Sequence, residues 1–287
     1  MTARDWFEKA RRENFAIPAL NAGTFETFKG IVAAAVEARS PVIIETSTGE
    51  TKWMEAENVL CICRNFSDKY KVPILVNLDH AYNEEDLKPG FEAGYDLIHF
   101  DGSKLPYEQN VEICKKIVPV AHKDNQLVEG EIDKILGEGS EVHTSEVDTE
   151  AIEAGKSKPE TAAKFVAETG VDIFASFFGN VHGIYPGYTP SLDLELLRKI
   201  QQTIPNTFLS MHGSSGTPDD QVRAAAKDFV VKINVNTELR LAYRKSLEQA
   251  LSEKKDLAMY EVFPAVVEAI KKEALRWINL CGSGGKA

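Results

Sequence analysis

The sequence predicts an α/β fold of the (β/α)8 TIM-barrel type, a single domain over residues 1–287 with an extra C-terminal helix. Three observations predict it. Short apolar runs alternate with helix-period segments eight times, the number a closed parallel barrel needs. No composition break divides the 287 residues, and α/β barrels of that length are routinely one domain. The first apolar run leads into Asn21-Ala22-Gly23-Thr24, not the GxGxxG turn that opens a doubly wound dinucleotide-binding sheet.

The elements follow in order. Phe15–Asn21 is an apolar run short enough for a strand, and Thr24–Arg39 carries a helical pattern. Pro41–Glu45 is the second strand, followed by one long helix over Lys52–Lys71. Pro73–Leu78 is the third, ending at Asp79-His80, with a short helix over Glu84–Ala93. Asp96–Phe100 is the fourth, ending at Asp101-Gly102-Ser103, and Pro106–His122 is helical. Gln126–Glu131 is the fifth, and a long polar loop runs from it to about Lys156. Pro159–Thr169 begins with the proline that suits a first helical turn. Val171–Ser176 is the sixth strand and Leu192–Thr203 its helix. Thr207–Met211 is the seventh, with a helix over Pro218–Lys227. Asp228–Ile233 is the eighth, with a helix over Thr237–Ser252, and a last amphipathic pattern covers Leu257–Trp277.

The formal charge of −11, from 33 basic and 44 acidic residues, argues against a nucleic-acid or anionic-membrane surface. The start of the chain has no apolar signal region, and no apolar run reaches membrane-spanning length. Cys61, Cys63, Cys114 and Cys281 match no zinc or redox spacing and suit a reducing cytoplasm.

The polar residues with chemical potential fall at the strand ends, which in a barrel form the active-site face. Asp79 and His80 end strand three, Asp101 strand four, and Glu129 and Glu131 strand five. His182 follows strand six, His212 ends strand seven, and Asn234 and Asn236 follow strand eight. Three histidines and a carboxylate on one rim form a donor set for a divalent ion with an open position. His99, inside a strand, His122, at a helix end, and His143, in a polar loop, read as structural. Two loops suit a phosphate. Gly213-Ser214-Ser215-Gly216 has little side-chain bulk over its N–H groups, and Asn234-Val235-Asn236-Thr237 leads into a helix N-terminus.

Taken together, these residues resemble the class II, metal-dependent fructose-bisphosphate aldolase family with its tagatose-bisphosphate relatives. The resemblance runs through Leu78-Asp79-His80, Asp101-Gly102-Ser103, Val128-Glu129-Gly130-Glu131, Gly179-Asn180-Val181-His182-Gly183, His212–Gly216 and Val231–Thr237. It implies that His80, His182 and His212 bind Zn2+ or another divalent transition metal, with Glu131 as a fourth or alternative ligand. It also implies that Asp79 shuttles the proton on the hydroxyl beside the cleaved bond and that Asn234 steadies the enediolate. Gly183, Gly213, Ser214, Ser215, Asn236 and Thr237 would hold the phosphate of dihydroxyacetone phosphate, with Asp101 at the substrate and a monovalent cation, Na+ or K+, alongside. Cleavage leaves a carbanion beside a carbonyl, so a metal on that oxygen removes the need for a Schiff-base lysine. The implied partners are a small phosphorylated sugar and further copies of the chain, as a dimer or tetramer.

The chain departs from the family pattern in four places. Gly139 stands at the usual general-base position, which leaves Glu138 and Glu141 as candidate bases. Pro186 replaces a common lysine, the strand-one loop reads Ala22-Gly23-Thr24, and an arginine is missing near Asp256-Leu257. These departures keep two alternatives open: a metal-dependent isomerase or epimerase of a sugar phosphate, and a non-catalytic aldolase-like binding protein.

Overall fold

The computed structural model describes every residue of the chain except 138, 254, 256 and 257. Eight strands, β1 (Ile17–Asn21), β2 (Val42–Ser47), β3 (Ile74–Ala81), β4 (Leu97–Asp101), β5 (Leu127–Glu131), β6 (Ile173–Ala175), β7 (Phe208–Met211) and β8 (Lys232–Val235), pair in parallel in chain order and close through β8 and β1. The helices are α1 (Ala3–Glu13), α2 (Phe25–Ala38), α3 (Thr48–Met54), α4 (Ala56–Tyr70), α5 (Glu84–Ala93), α6 (Tyr107–Lys123), α7 (Thr149–Gly155), α8 (Pro159–Thr169), α9 (Leu194–Thr203), α10 (Asp219–Asp228), α11 (Thr237–Glu253) and α12 (Met259–Cys281). This is the predicted (β/α)8 barrel with its extra C-terminal helix, α12, which packs against α2 and α11. A side chain at Gly30 of α2 would collide with Ile270, so the glycine permits that close approach. Among the described residues, no helix is long and apolar enough to cross a membrane.

The strand period of two sorts the barrel interior into three layers. The lowest is apolar: Ile43, Leu75, Leu97, Leu127, Ile173 and Phe208 join Trp6, Phe7 and Ala10 of α1 in one cluster. Phe7 meets Phe208 edge-on with ring centroids 5.3 Å apart, so α1 plugs the N-terminal end of the barrel. Two residues further along five of these strands lies a polar layer, Glu45, Asn77, His99, Glu129 and Ser210, with Ala175 on β6 and Lys232 joining from β8. Two residues further again come Ser47, Asp79, Asp101, Glu131 and His212, at the C-terminal mouth.

Four elements differ from the predicted ones. α1 precedes all of them, and its Thr2 cap accepts a hydrogen bond from Asp5 N–H. The long helix expected over Lys52–Lys71 is two helices, because Glu55 turns the chain at φ 65°. The polar loop after β5 contains α7, capped by Asp148 and anchored by buried Ile152. The eighth strand starts later than expected, because α10 runs to Asp228. Asn234 therefore lies inside β8 and only Asn236 follows it. Leu257, where the last helical pattern begins, lies outside the described residues.

Candidate metal centre and active site

His80 reaches the mouth through an irregularity in β3. Strict alternation would send Asp79 and His80 to opposite faces. Instead the β3–β4 register shifts between Leu78 and Ala81, and His80 adopts φ 49°. Such a bulge re-aims side chains next to active sites. Here both neighbours line one cavity of about 320 Å³ at the barrel mouth, together with Asp101, Glu131, His182 and His212.

The ring centroid of His80 is 4.9 Å from that of His212 and 5.2 Å from that of His182, and the latter two are 6.2 Å apart. The tightest donor groupings are Asp79, His80, His99 and His212, and His80, Asp101 and Glu131, each with donor atoms within 4.8 Å of one another. His182 closes the remaining side.

Carboxylates set the tautomers. His212 Nε2 is 2.7 Å from Glu129 Oε1, and His80 Nδ1 is 2.9 Å from Asp101 Oδ2. A carboxylate accepts, so those nitrogens donate, which leaves His212 Nδ1 and His80 Nε2 as the free lone pairs. Glu129 in turn takes hydrogen bonds from Ser210 Oγ and, at 2.7 Å, from Lys232 Nζ.

Burial pushes His182 and His212 down to about 3, so both rings are neutral, the state a metal ligand needs. At His80 burial is outweighed by Asp79 and then by Asp101 and Glu131, and its pKa is raised. Burial and the neighbouring Asp101 charge push Glu131 up to about 7. Burial also works against ionised Asp79, but His80 and Lys232 outweigh it and hold the carboxyl well below its usual range. Asp79 accepts hydrogen bonds from Asn21 Nδ2 and Asn234 Nδ2, both at 3.2 Å.

The donors fit a divalent transition ion. Imidazoles and carboxylates converge, and Glu131 Oε2 and His99 Nε2 are buried 3.2 Å apart, outside hydrogen-bond geometry. His99, set aside in the sequence because it sits within a strand, stands under this cluster; its Nδ1 accepts from His80 N–H at 3.2 Å. One sequence signal points to it: His99 precedes Asp101 by two and so shares its face.

Gly183, Gly213, Ser214, Ser215, Asn236 and Thr237 line the same cavity, and Thr237 begins α11, whose N-terminus favours an anion. Gly213 has φ 57°, and a side chain there would strike the Val181 carbonyl. Ser214 Oγ donates to Asn234 C=O, tying the two loops together. Asn234 also donates to Glu45 Oε2 at 3.2 Å. Of the candidate bases, Glu138 lies outside the described residues. Glu141 is exposed and does not line the cavity, while Gly139 and Ser140 of the same loop do. Asn21, Tyr82, Ser103, Lys104 and Lys134, which the sequence did not single out, also line it.

The sequence profile of the class-II fructose-bisphosphate aldolases matches residues 1–286. A fructose-bisphosphate aldolase of Streptococcus pneumoniae is 35% identical over 303 residues, covering 100% of this chain and 99% of that one. The D-tagatose-1,6-bisphosphate aldolase subunit GatY of Klebsiella oxytoca is 31% identical over 287 residues, with the same coverage. The crystal structure of the YdjI aldolase from Escherichia coli K12 matches with a TM-score of 0.81 at 28% identity, over 100% of this chain and 99% of that one.

Proposed function

Because the chain belongs to the class-II fructose-bisphosphate aldolase family, we propose that it splits a ketose 1,6-bisphosphate of the fructose or tagatose type into dihydroxyacetone phosphate and an aldehyde. The protein is an aldolase, a carbon–carbon lyase of carbohydrate metabolism, and its family acts on small phosphorylated sugars with a divalent metal. The observation that carries the finer reading is one cavity lined both by His80, His182 and His212 and by Gly183, Gly213–Ser215 and the α11 N-terminal residues Asn236 and Thr237. Zinc, or another divalent transition ion, would be held by the three histidines with Glu131 in reserve. When bound, it supplies a Lewis acid to the carbonyl beside the broken bond.

The remaining work falls to this chain's own groups. The phosphate anchors at the glycine and serine N–H groups and the helix N-terminus. The Asp79 carboxylate takes the proton of the hydroxyl next to the scissile bond, and the electron pair of that bond passes into the neighbouring carbonyl. Asn234, already directed at Asp79, steadies the charge that develops. A glutamate of the β5 loop, Glu138 or Glu141, returns a proton to the carbon. Loss of the true base is expected to slow exchange of the dihydroxyacetone-phosphate C–H proton with solvent, read by NMR. Normal exchange in both alanine variants would move the base elsewhere. A monovalent cation beside the phosphate, a reducing cytoplasm suited to four free cysteines and a homo-oligomeric state complete the proposal.

Among the described residues, the cavity lining offers the far phosphate no arginine fork, only the single charges of Lys104 and Lys134. Arg240 pairs with Glu50, Arg244 with Glu248, and Arg276 with Asp219, Glu238 and Glu273. None of the three lines the cavity. A charge-assisted contact to that phosphate would contribute roughly ten- to a hundredfold in affinity. We therefore expect kcat/KM for fructose or tagatose 1,6-bisphosphate to exceed that of the matching ketose 1-phosphate by less than about tenfold. Released triose phosphate is the readout. A ratio near a hundred would show that Lys104 or Lys134 pairs fully with the second phosphate. An isomerised sugar without triose phosphate would overturn the reading.

A further inference from the structure

The loop between β5 and α8 is stitched to the segment after β6. His182 N–H donates to Leu136 C=O at 2.7 Å, Ile184 N–H to Glu141 C=O at 2.9 Å, and His143 N–H to Ile184 C=O at 2.8 Å. Beneath this seam Ile135, Ile152, Phe177, Val181 and Tyr185 form a small apolar cluster of their own. The side chain of His143 completes the seam. Its ring lies flat on Tyr185, with centroids 4.4 Å apart and planes 18° from parallel. Its Nε2 is 3.2 Å from the carbonyl oxygen of His182. That oxygen can only accept, so Nε2 carries the proton. The same ring edge occupies the space a side chain at Gly183 would need.

The His182 carbonyl and the Gly183 N–H belong to one planar peptide unit and point in opposite directions across it. Holding the oxygen therefore fixes where the N–H aims. The hold matters because Gly183 has φ 81° and no Cβ, and glycine permits backbone rotations that other residues resist. Gly183 lines the cavity, and His182 is one of its three rim histidines. A hydrogen bond on the carbonyl also polarises the N–H at the other end of the unit.

We propose that His143 is a positioning residue: it pins the His182–Gly183 peptide so that the Gly183 N–H faces the substrate phosphate and His182 stays turned toward the metal. The proposal rests on the aldolase reading above for the identity of that phosphate. His143 does not line the cavity and takes no part as a ligand or proton carrier.

The test uses the full-length, metal-loaded protein and the variants His143→Phe and His143→Gln. Phenylalanine keeps a flat ring for Tyr185 and removes the donor, while glutamine restores a donor at similar reach. The readouts are calorimetric affinity for dihydroxyacetone phosphate, KM and kcat, the rate of cobalt release to a chelator, and melting temperature. His143→Phe is expected to melt like the parent, bind dihydroxyacetone phosphate about tenfold or more weakly, and raise KM more than it lowers kcat. It should also release cobalt faster, and His143→Gln should recover much of each loss. Parent-like ligand affinity and cobalt release in His143→Phe would overturn the proposal. So would losses that track a lowered melting temperature and are shared by His143→Gln. If the unaltered protein fails to bind dihydroxyacetone phosphate, the aldolase reading of the phosphate falls, and the cobalt release rates alone decide the role of His143.

Discussion

His212→Ala is expected to leave a folded protein that holds no divalent ion and cleaves no ketose phosphate above background. His212 is buried, and its Nε2 is committed to Glu129, so its free lone pair is a preset donor. Removing the ring does not orphan Glu129, which keeps Lys232 and Ser210 as partners, so the barrel should survive. Dipicolinate treatment of the unaltered protein should have the same effect on activity, and zinc or cobalt should restore it. His143→Ala should still bind the ion, though with faster release, since that side chain holds the peptide behind His182 and is not itself a ligand. Acid should also strip the metal. His80 has a raised pKa in the metal-free protein, so protons compete for its ring below that value, and metal uptake begins to weaken while pH is still above the ordinary histidine range. Metal content by atomic spectroscopy, set beside activity, is the check. Full activity in the metal-free protein would refute the mechanism.

Asp79→Ala should separate metal binding from chemistry. The carboxylate lies between Asn21 and Asn234 and lines the cavity next to His80. Its negative charge is what chiefly opposes burial in raising the His80 pKa, so its loss favours the neutral imidazole and the ion should stay. The proton on the hydroxyl beside the scissile bond then has no acceptor in place. General acid–base help is worth roughly 10²- to 10⁴-fold in rate, and kcat should fall by about that much. Asn21 and Asn234 each lose one of two carboxylate partners, keeping Glu50 and Glu45, so some stability is lost as well, and a melting curve separates that effect from the kinetic one. Wild-type turnover in a metal-replete Asp79→Ala protein would place the proton transfer on another group.

The barrel was legible because its strands are buried on both faces and therefore read as short apolar runs with clear ends. The rim histidines were legible because His80 and His212 fall where such runs stop and His182 lies in the loop that follows one. Other features had weaker or no local signals. α1 carries buried Trp6, Phe7 and Ala10 at helical spacing, but it stands ahead of the alternation that organised the reading. The break at Glu55 has no glycine or proline to announce it. α7 is masked by the polar composition around it, and only Asp148 and Ile152 mark it. His99 was obscured because a histidine inside an apolar strand is usually taken as core, although its spacing from Asp101 set its face. For His143 no local signal exists. Its importance depends on Tyr185 and the His182 carbonyl, about forty residues away in the chain, which meet it only in the folded barrel.

The polar layer under the mouth bears on how this sequence can drift. Lys232, Glu129 and Glu45 are fully buried, with Lys232 Nζ 2.7 Å from Glu129 and 3.7 Å from Glu45. Burial and the Asp79 charge push Glu45 up to about 8, so the matched charges are Lys232 and Glu129; neutralising either of these alone strands the other in the interior, at a cost of about 3–5 kcal/mol, whereas replacing both together can be nearly neutral. Both glutamates also have a second obligation, since Glu129 orients His212 and Glu45 receives Asn77 and Asn234. Single-step lineages therefore meet a barrier here that paired substitutions avoid. Among descendants of this chain, residues 129 and 232 are expected to change in concert or to stay fixed, while the rim above them explores new substrates one residue at a time.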